Sequence, residues 1–128
     1  MTVRIARLGT PRAKGEGLRI GTVRRPPRGI PKSEFSSGNW YDVWYPNLAP
    51  STELVKQALD AGDAKAWAAF VRKFRVEMTQ AAASRTLDLL AALSANADFS
   101  VGCYCEDEAR CHRSVLRSLL AERGAKVV

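Results

Sequence analysis

Histidine occurs once in this chain and cysteine three times. An odd number of cysteines, two of them a single residue apart, makes no disulfide framework and points to a reducing, cytoplasmic setting. No run of about 18 or more apolar residues exists, which argues against a membrane-spanning helix. The start, Met1-Thr2-Val3-Arg4-Ile5-Ala6-Arg7, is followed by no apolar stretch of the kind a secretory leader needs. Repeats and low-complexity segments are missing too. Acid is almost missing from the first quarter: Glu16 is the one carboxylate among residues 1–32, against nine basic side chains. Those are Arg4, Arg7, Arg12, Lys14, Arg19, Arg24, Arg25, Arg28 and Lys32, so the segment carries +8 while the whole chain carries +7. Positive charge gathered in this way predicts a basic face and an anionic partner, either a small molecule or nucleic acid. Scattered surface charge serving solubility is the plainer alternative.

What is present reads as α/β. A chain of 128 residues is expected to form one domain over 1–128, burying about two-thirds of its unfolded surface. Val3 to Leu8 alternates apolar and basic, the pattern of a half-buried strand. Gly9 to Gly17 is a loop, and Leu18 to Val23 a second strand. Arg24-Arg25-Pro26-Pro27-Arg28-Gly29-Ile30-Pro31 excludes regular structure, because three prolines lock φ and remove donors. Trp40 to Tyr45 is a short extended segment. A helix with Ser51 as N-cap carries Leu54, Val55, Ala58 and Leu59 and stops near Gly62. After Asp63, the residues Trp67, Phe70, Val71, Phe74 and Met78 form an amphipathic stripe. Gln80 to Ala83 permits this helix to run on into Ala81–Leu93. Phe99 to Cys105, small or apolar on both faces, resembles a central strand covered on both sides. Val115, Leu116, Leu119 and Leu120 mark a last helix ending at Gly124, and residues 125–128 suggest a final strand. The expected architecture is a mainly parallel sheet with helices on both sides, its crossovers right-handed.

All three cysteines and the histidine fall within Cys103-Tyr104-Cys105-Glu106-Asp107-Glu108-Ala109-Arg110-Cys111-His112-Arg113-Ser114. This segment lies where a strand hands over to a helix, the usual ligand position in open α/β folds. Cys111 to Ser114 occupy the first helical turn, where free backbone N–H groups and the macrodipole favour an anion. Arg113 or Arg110 can supply a forked donor. The same field is expected to lower the pKa of Cys111.

Four readings compete. Small cysteines can simply fill the interior. Cys103, Cys105, Cys111 and His112 are zinc-ligand types, but the spacing lacks the Cys-x2-4-Cys knuckle, and adjacent Cys-His ligands are awkward within one helical turn. Thiol catalysis can use Cys105 or Cys111 with His112, although adjacent helical positions do not face each other. The phosphatase pattern Cys-x5-Arg is absent, since Cys111 stands six positions after Cys105. A non-catalytic anion site at the helix start needs the fewest assumptions. It also joins the basic loop if both strand ends open onto one crevice. The leading expectation is therefore a phosphorylated ligand, a nucleotide or nucleic-acid end. Arg24, Arg25, Arg28, Arg113 and Ser114 bind it, and Cys105, Cys111 and His112 stand by for any chemistry, with no metal or cofactor. The alternatives are a nucleic-acid-binding module using residues 1–32 and a thiol-dependent enzyme.

Three blocks resemble the family called domain of unknown function 488, in particular its YeaO-like branch. They are Val23-Arg24-Arg25-Pro26-Pro27-Arg28-Gly29-Ile30, the stretch from Leu48-Ala49-Pro50-Ser51 through Trp67, Phe70 and Phe74 to Glu77-Met78, and Cys103-Tyr104-Cys105 followed by Cys111-His112-Arg113. Val23 stands where that family often has aspartate, and Pro26 where it often has tryptophan, so this chain offers no carboxylate at position 23. The resemblance implies an α/β domain with a clustered polar site and carries no established activity.

Overall fold

A computed structural model describes residues 1–128. Four strands, β1 (Val3–Arg7), β2 (Leu18–Gly21), β3 (Val43–Trp44) and β4 (Phe99–Cys103), form one sheet in the order β1-β4-β2-β3. Every pairing is parallel, with Val3 opposite Phe99 on one side of β4 and Leu18 opposite Phe99 on the other. β4 is buried along its whole length, as a central parallel strand must be. The α-helices are α1 (Thr52–Asp60), α2 (Ala64–Glu77), α3 (Ala81–Leu93) and α4 (His112–Glu122). None is long and apolar enough to cross a membrane.

The direction of each connection explains what covers each face. From β3 the chain returns through α1–α3 to β4, then through α4 to the edge beyond β1, where Val127 bridges Val3. Both crossovers move the same way across the sheet, so a shared right hand puts their helices on one face. That face carries Val3, Ile20, Phe99 and Val101, which join Phe70, Phe74, Leu87, Leu116 and Leu120 in the main core. The connections β1→β2 and β2→β3 move the opposite way and cover the other face. They are rich in glycine and proline, so this cover is loop, with one 3-10 turn at Lys32–Glu34. The α/β reading with a parallel sheet holds, and its two faces are flanked unequally.

The second face is polar where the first is not. Arg19 and Ser100 point into it and meet Glu16 from the covering loop, with Arg19 Nε 2.7 Å from Glu16 Oε2 and Ser100 Oγ 2.8 Å from the same oxygen. Arg19 Nη1 donates to the carbonyls of Thr10 and Asn39 at 2.9 and 2.8 Å, stitching both loops to the strand. Gly21 lets Tyr41 lie flat on the sheet, since a Cβ there would sit 2.3 Å from the ring.

Several boundaries differ from expectation. The aromatic segment is a strand only at Val43–Trp44, because Asp42 accepts from Arg12 and from the Arg19 backbone and anchors a turn instead. α2 and α3 are separate, broken at Met78–Gln80 with Gln80 as N-cap. β4 ends at Cys103, leaving Cys105 in the following loop. The final strand is reduced to the single bridge at Val127. Leu59, placed on the buried stripe by periodicity, is 77% exposed.

Candidate functional site

Parallel strands end together, so the loops after β1, β2 and β4 open at one edge. They enclose a crevice of about 1030 Å³. Leu8, Gly9 and Thr10 come from the β1 end, Val23 to Arg28 from the β2 end, and Cys103, Tyr104, Cys105, Arg110, Cys111 and His112 from the β4 end. α1 and α2 close it with Thr52, Val55, Ala58, Leu59 and Phe70, and Trp40 adds an aromatic wall. Five arginines line it, Arg7, Arg24, Arg25, Arg28 and Arg110, and no carboxylate does. The acids of the β4 loop turn elsewhere: Glu108 grips Arg117 at 2.6 and 3.0 Å, and Asp107 caps the Ala109 N–H.

The arginines are held differently. Arg24 donates from Nε to Pro50 O at 2.9 Å and from Nη2 to Pro46 O and Ala49 O at 3.1 and 3.0 Å, pinning the turn ahead of α1. Arg25 and Arg28 are exposed on the proline-stiffened loop, and Tyr104 Oη donates to Arg25 O to fix that loop against the β4 end. Arg110 lies over the Trp67 ring, 5.9 Å from its centre. Arg113 and Ser114, expected to bind ligand, do not line the crevice. Arg113 is buried and donates to the carbonyls of Cys105 and Glu106 at 2.8 and 3.3 Å, and Ser114 Oγ donates to Cys111 O. Arg113 thus shapes the loop that carries Cys105.

The crevice floor is the cysteine–histidine cluster. His112 opens α4, packs edge-on against Phe74 at 5.6 Å, and directs Nε2 to Thr22 O at 2.6 Å. Burial lowers its pKa to about 4, so the ring is neutral near pH 7. Its Nε2–H donates to Thr22, and bare Nδ1 faces Cys111 Sγ at 3.9 Å. Cys103 Sγ lies 3.8 Å from Cys105 Sγ. Thiols of Cys103 and Cys111 directed at Cys105 hold its pKa far below the usual range, helped by the neighbouring charge of Arg113. The partnership with Cys105 pushes Cys103 up to about 11. Cys111 also moves up, through its contacts with Cys103 and Cys105 and through burial. This reverses the sequence expectation for Cys111. Two neighbouring sulfurs and loss of water outweigh the helix-start field, and it is the partly exposed Cys105 whose pKa is drawn down instead.

Two parts of the site escaped the sequence reading. The β1 end, Arg7 to Thr10, was visible only as strand and loop, although Gly9 directly after a strand is a usable signal. Thr22 contributes a backbone carbonyl, which no residue type announces.

Fold and crevice together define an α/β protein with an arginine-lined cleft and a thiol–imidazole floor at the carboxyl edge of a parallel sheet. Across nearly its full length the chain matches a family model, described as the active DUF488-N3 subclade, over residues 3–124. The chain belongs to the domain of unknown function 488 family, as the three sequence blocks implied. No curated protein and no solved structure matches it.

Proposed function

We propose that the crevice binds a phosphorylated ligand with an apolar or aromatic body, such as a nucleotide. One observation carries the reading: five arginines line the cleft with no opposing carboxylate. In a cleft with low-dielectric walls such charge focuses on an anion. The walls favour an aromatic body beside that anion, since Trp40, Tyr104, Val55, Leu59 and three prolines share the lining. Arg25 and Arg28 have the exposure to meet phosphate, whereas Arg24 contributes chiefly its field.

The alternative of a nucleic-acid module built on the basic segment alone draws less support. Of its nine basic side chains, Arg19 is buried on Glu16, Arg12 is paired with Asp42 at 2.8 Å, and Arg24 is tied to carbonyls. With these three engaged internally, fewer of the nine remain to meet a nucleic-acid backbone.

Calorimetric titration with adenosine diphosphate, inorganic phosphate and a short single-stranded oligonucleotide tests the reading. Nucleotide is expected to bind, and Arg28→Gln to weaken it by about tenfold, the loss of one charge-assisted contact. Failure of both nucleotide and phosphate to bind overturns the proposal. Binding of the oligonucleotide alone transfers the function to nucleic acid.

A further inference from the structure

The crevice floor holds an arrangement that phosphate binding leaves unused. Cys103, Cys111 and His112 each present one soft ligand atom, and these atoms lie within 4.8 Å of one another. Cys105 Sγ joins at 3.8 Å from Cys103 Sγ, and Cys111 Sγ is 3.9 Å from His112 Nδ1. Sulfur and nitrogen ligands at the corners of a tetrahedron around zinc stand about 3.5–3.8 Å apart, given bond lengths of about 2.0–2.3 Å. Two of these separations approach those edges, and Cys105, outside the 4.8 Å set, reaches it through Cys103.

Two further features favour a ligand set over packed thiols. His112 gives its far nitrogen to the Thr22 carbonyl at 2.6 Å, the support that fixes tautomer and ring orientation in metal-ligating histidines. The sequence objection to neighbouring Cys and His also falls. Cys111 is the N-cap of α4, with φ −127° and ψ 147°, and is therefore extended. Its side chain and that of His112 converge, where two helical neighbours would diverge.

We propose that Cys103, Cys105, Cys111 and His112 bind a soft divalent cation, zinc, at the floor of the crevice, with Cys105 as the ligand on the open side. Binding displaces the thiol protons into solvent and leaves His112 neutral, ligating through Nδ1. The proposal revises the metal-free expectation and stands independently of the phosphate reading.

The test is metal content of the full chain purified without chelator, followed by titration of the metal-free protein with cobalt(II). About one ion per chain is expected, with sulfur-to-cobalt charge-transfer absorption and the intense visible bands of tetrahedral cobalt. Cys111→Ser should abolish the spectrum. Cys105→Ser should keep a weakened one, with affinity lower by at least about tenfold, because a serine hydroxyl is a poor ligand for a soft site. Arg28→Gln should bind cobalt as wild type does. If Cys111→Ser does not fold, zinc protection of wild-type thiols from alkylation gives the same answer. Absence of the charge-transfer band, with all three thiols alkylated equally fast with and without zinc, overturns the proposal. So does rapid alkylation confined to Cys105 with zinc present, which assigns the cluster to thiol chemistry. Phosphate titration of the metal-free chain separates the fate of this site from that of the arginine cleft.

Discussion

Arg24 and Arg28 sit four positions apart in one loop and do different work. Arg24 spends three donor contacts on the carbonyls of Pro46, Ala49 and Pro50. Arg24→Gln should therefore lower stability by about 1–3 kcal/mol, since buried carbonyls lose charged donors. Urea denaturation checks this, and an unchanged midpoint would refute it. The Glu16–Arg19 pair is a sharper case. Burial alone would raise the Glu16 carboxyl, but bonds from Arg19, the Ala13 N–H and Ser100 overcome it and hold the pKa at about 2, against 4.5 normally. A folded pKa below the unfolded one means that the unfolded chain takes up the proton first. The stabilisation is full above about pH 4.5 and fades as pH falls toward 2. Chemical denaturation at pH 7, 5 and 3 should show wild type losing stability across that window more than Glu16→Gln does. Parallel curves for the two proteins would remove the assignment. Both roles were hidden in the sequence. There Arg19, Arg24 and Arg28 are equal contributors to one positive charge, because charge counting carries no information about partners.

At the scale of elements, β4 organises the molecule. Its alternation sends Phe99 and Val101 to the helices and Ser100 and Gly102 to the loop-covered face. A Cβ on Gly102 would lie 2.7 Å from Leu8 Cδ2 and 2.8 Å from the Ala6 carbonyl. Gly102→Ala should cost about 1–3 kcal/mol as overpacking, and it should also disturb the Leu8 N–H bond to Cys103 O at 2.9 Å. Thermal denaturation tests the stability, and amide exchange at Leu8 tests the bond. Full retention of both would show that the β1 end tolerates the shift. Periodicity made the four helices and the strand cores legible, because a stripe of Trp67, Phe70 and Phe74 or the run Phe99–Cys103 reports its own environment. Element ends were less so. β3 shrank and Cys105 left β4 because hydrogen bonds from distant residues, Arg12 to Asp42 and Arg113 to the Cys105 carbonyl, set those stops.

At the scale of the whole molecule, chain direction and handedness decide which side receives helices and which edge receives function. Three strand ends open onto the same space, so residues more than 100 positions apart, Arg7 and His112, share one cleft. Its field should be sensitive to ionic strength, because the Debye length shortens from about 10 Å at 0.1 M to about 3 Å at 1 M. Nucleotide affinity is expected to fall several-fold over that range, measured by the same calorimetric titration. Salt-independent affinity would mean that the apolar walls, and not the arginines, hold the ligand.

Local pattern was enough to establish the α/β class, the helical stripes, the family blocks and the importance of residues 103–113. These depend on spacing within a few turns of chain, which any contiguous stretch displays. It was not enough to say that Arg113 lies under the loop, that the pKa of Cys105 rather than Cys111 is drawn down, or that Thr22 orients the imidazole. Those outcomes come from groups far apart along the chain meeting in a place where water is excluded. There, a carbonyl or a neighbouring sulfur shifts a proton more strongly than the helix-start field read from residue order.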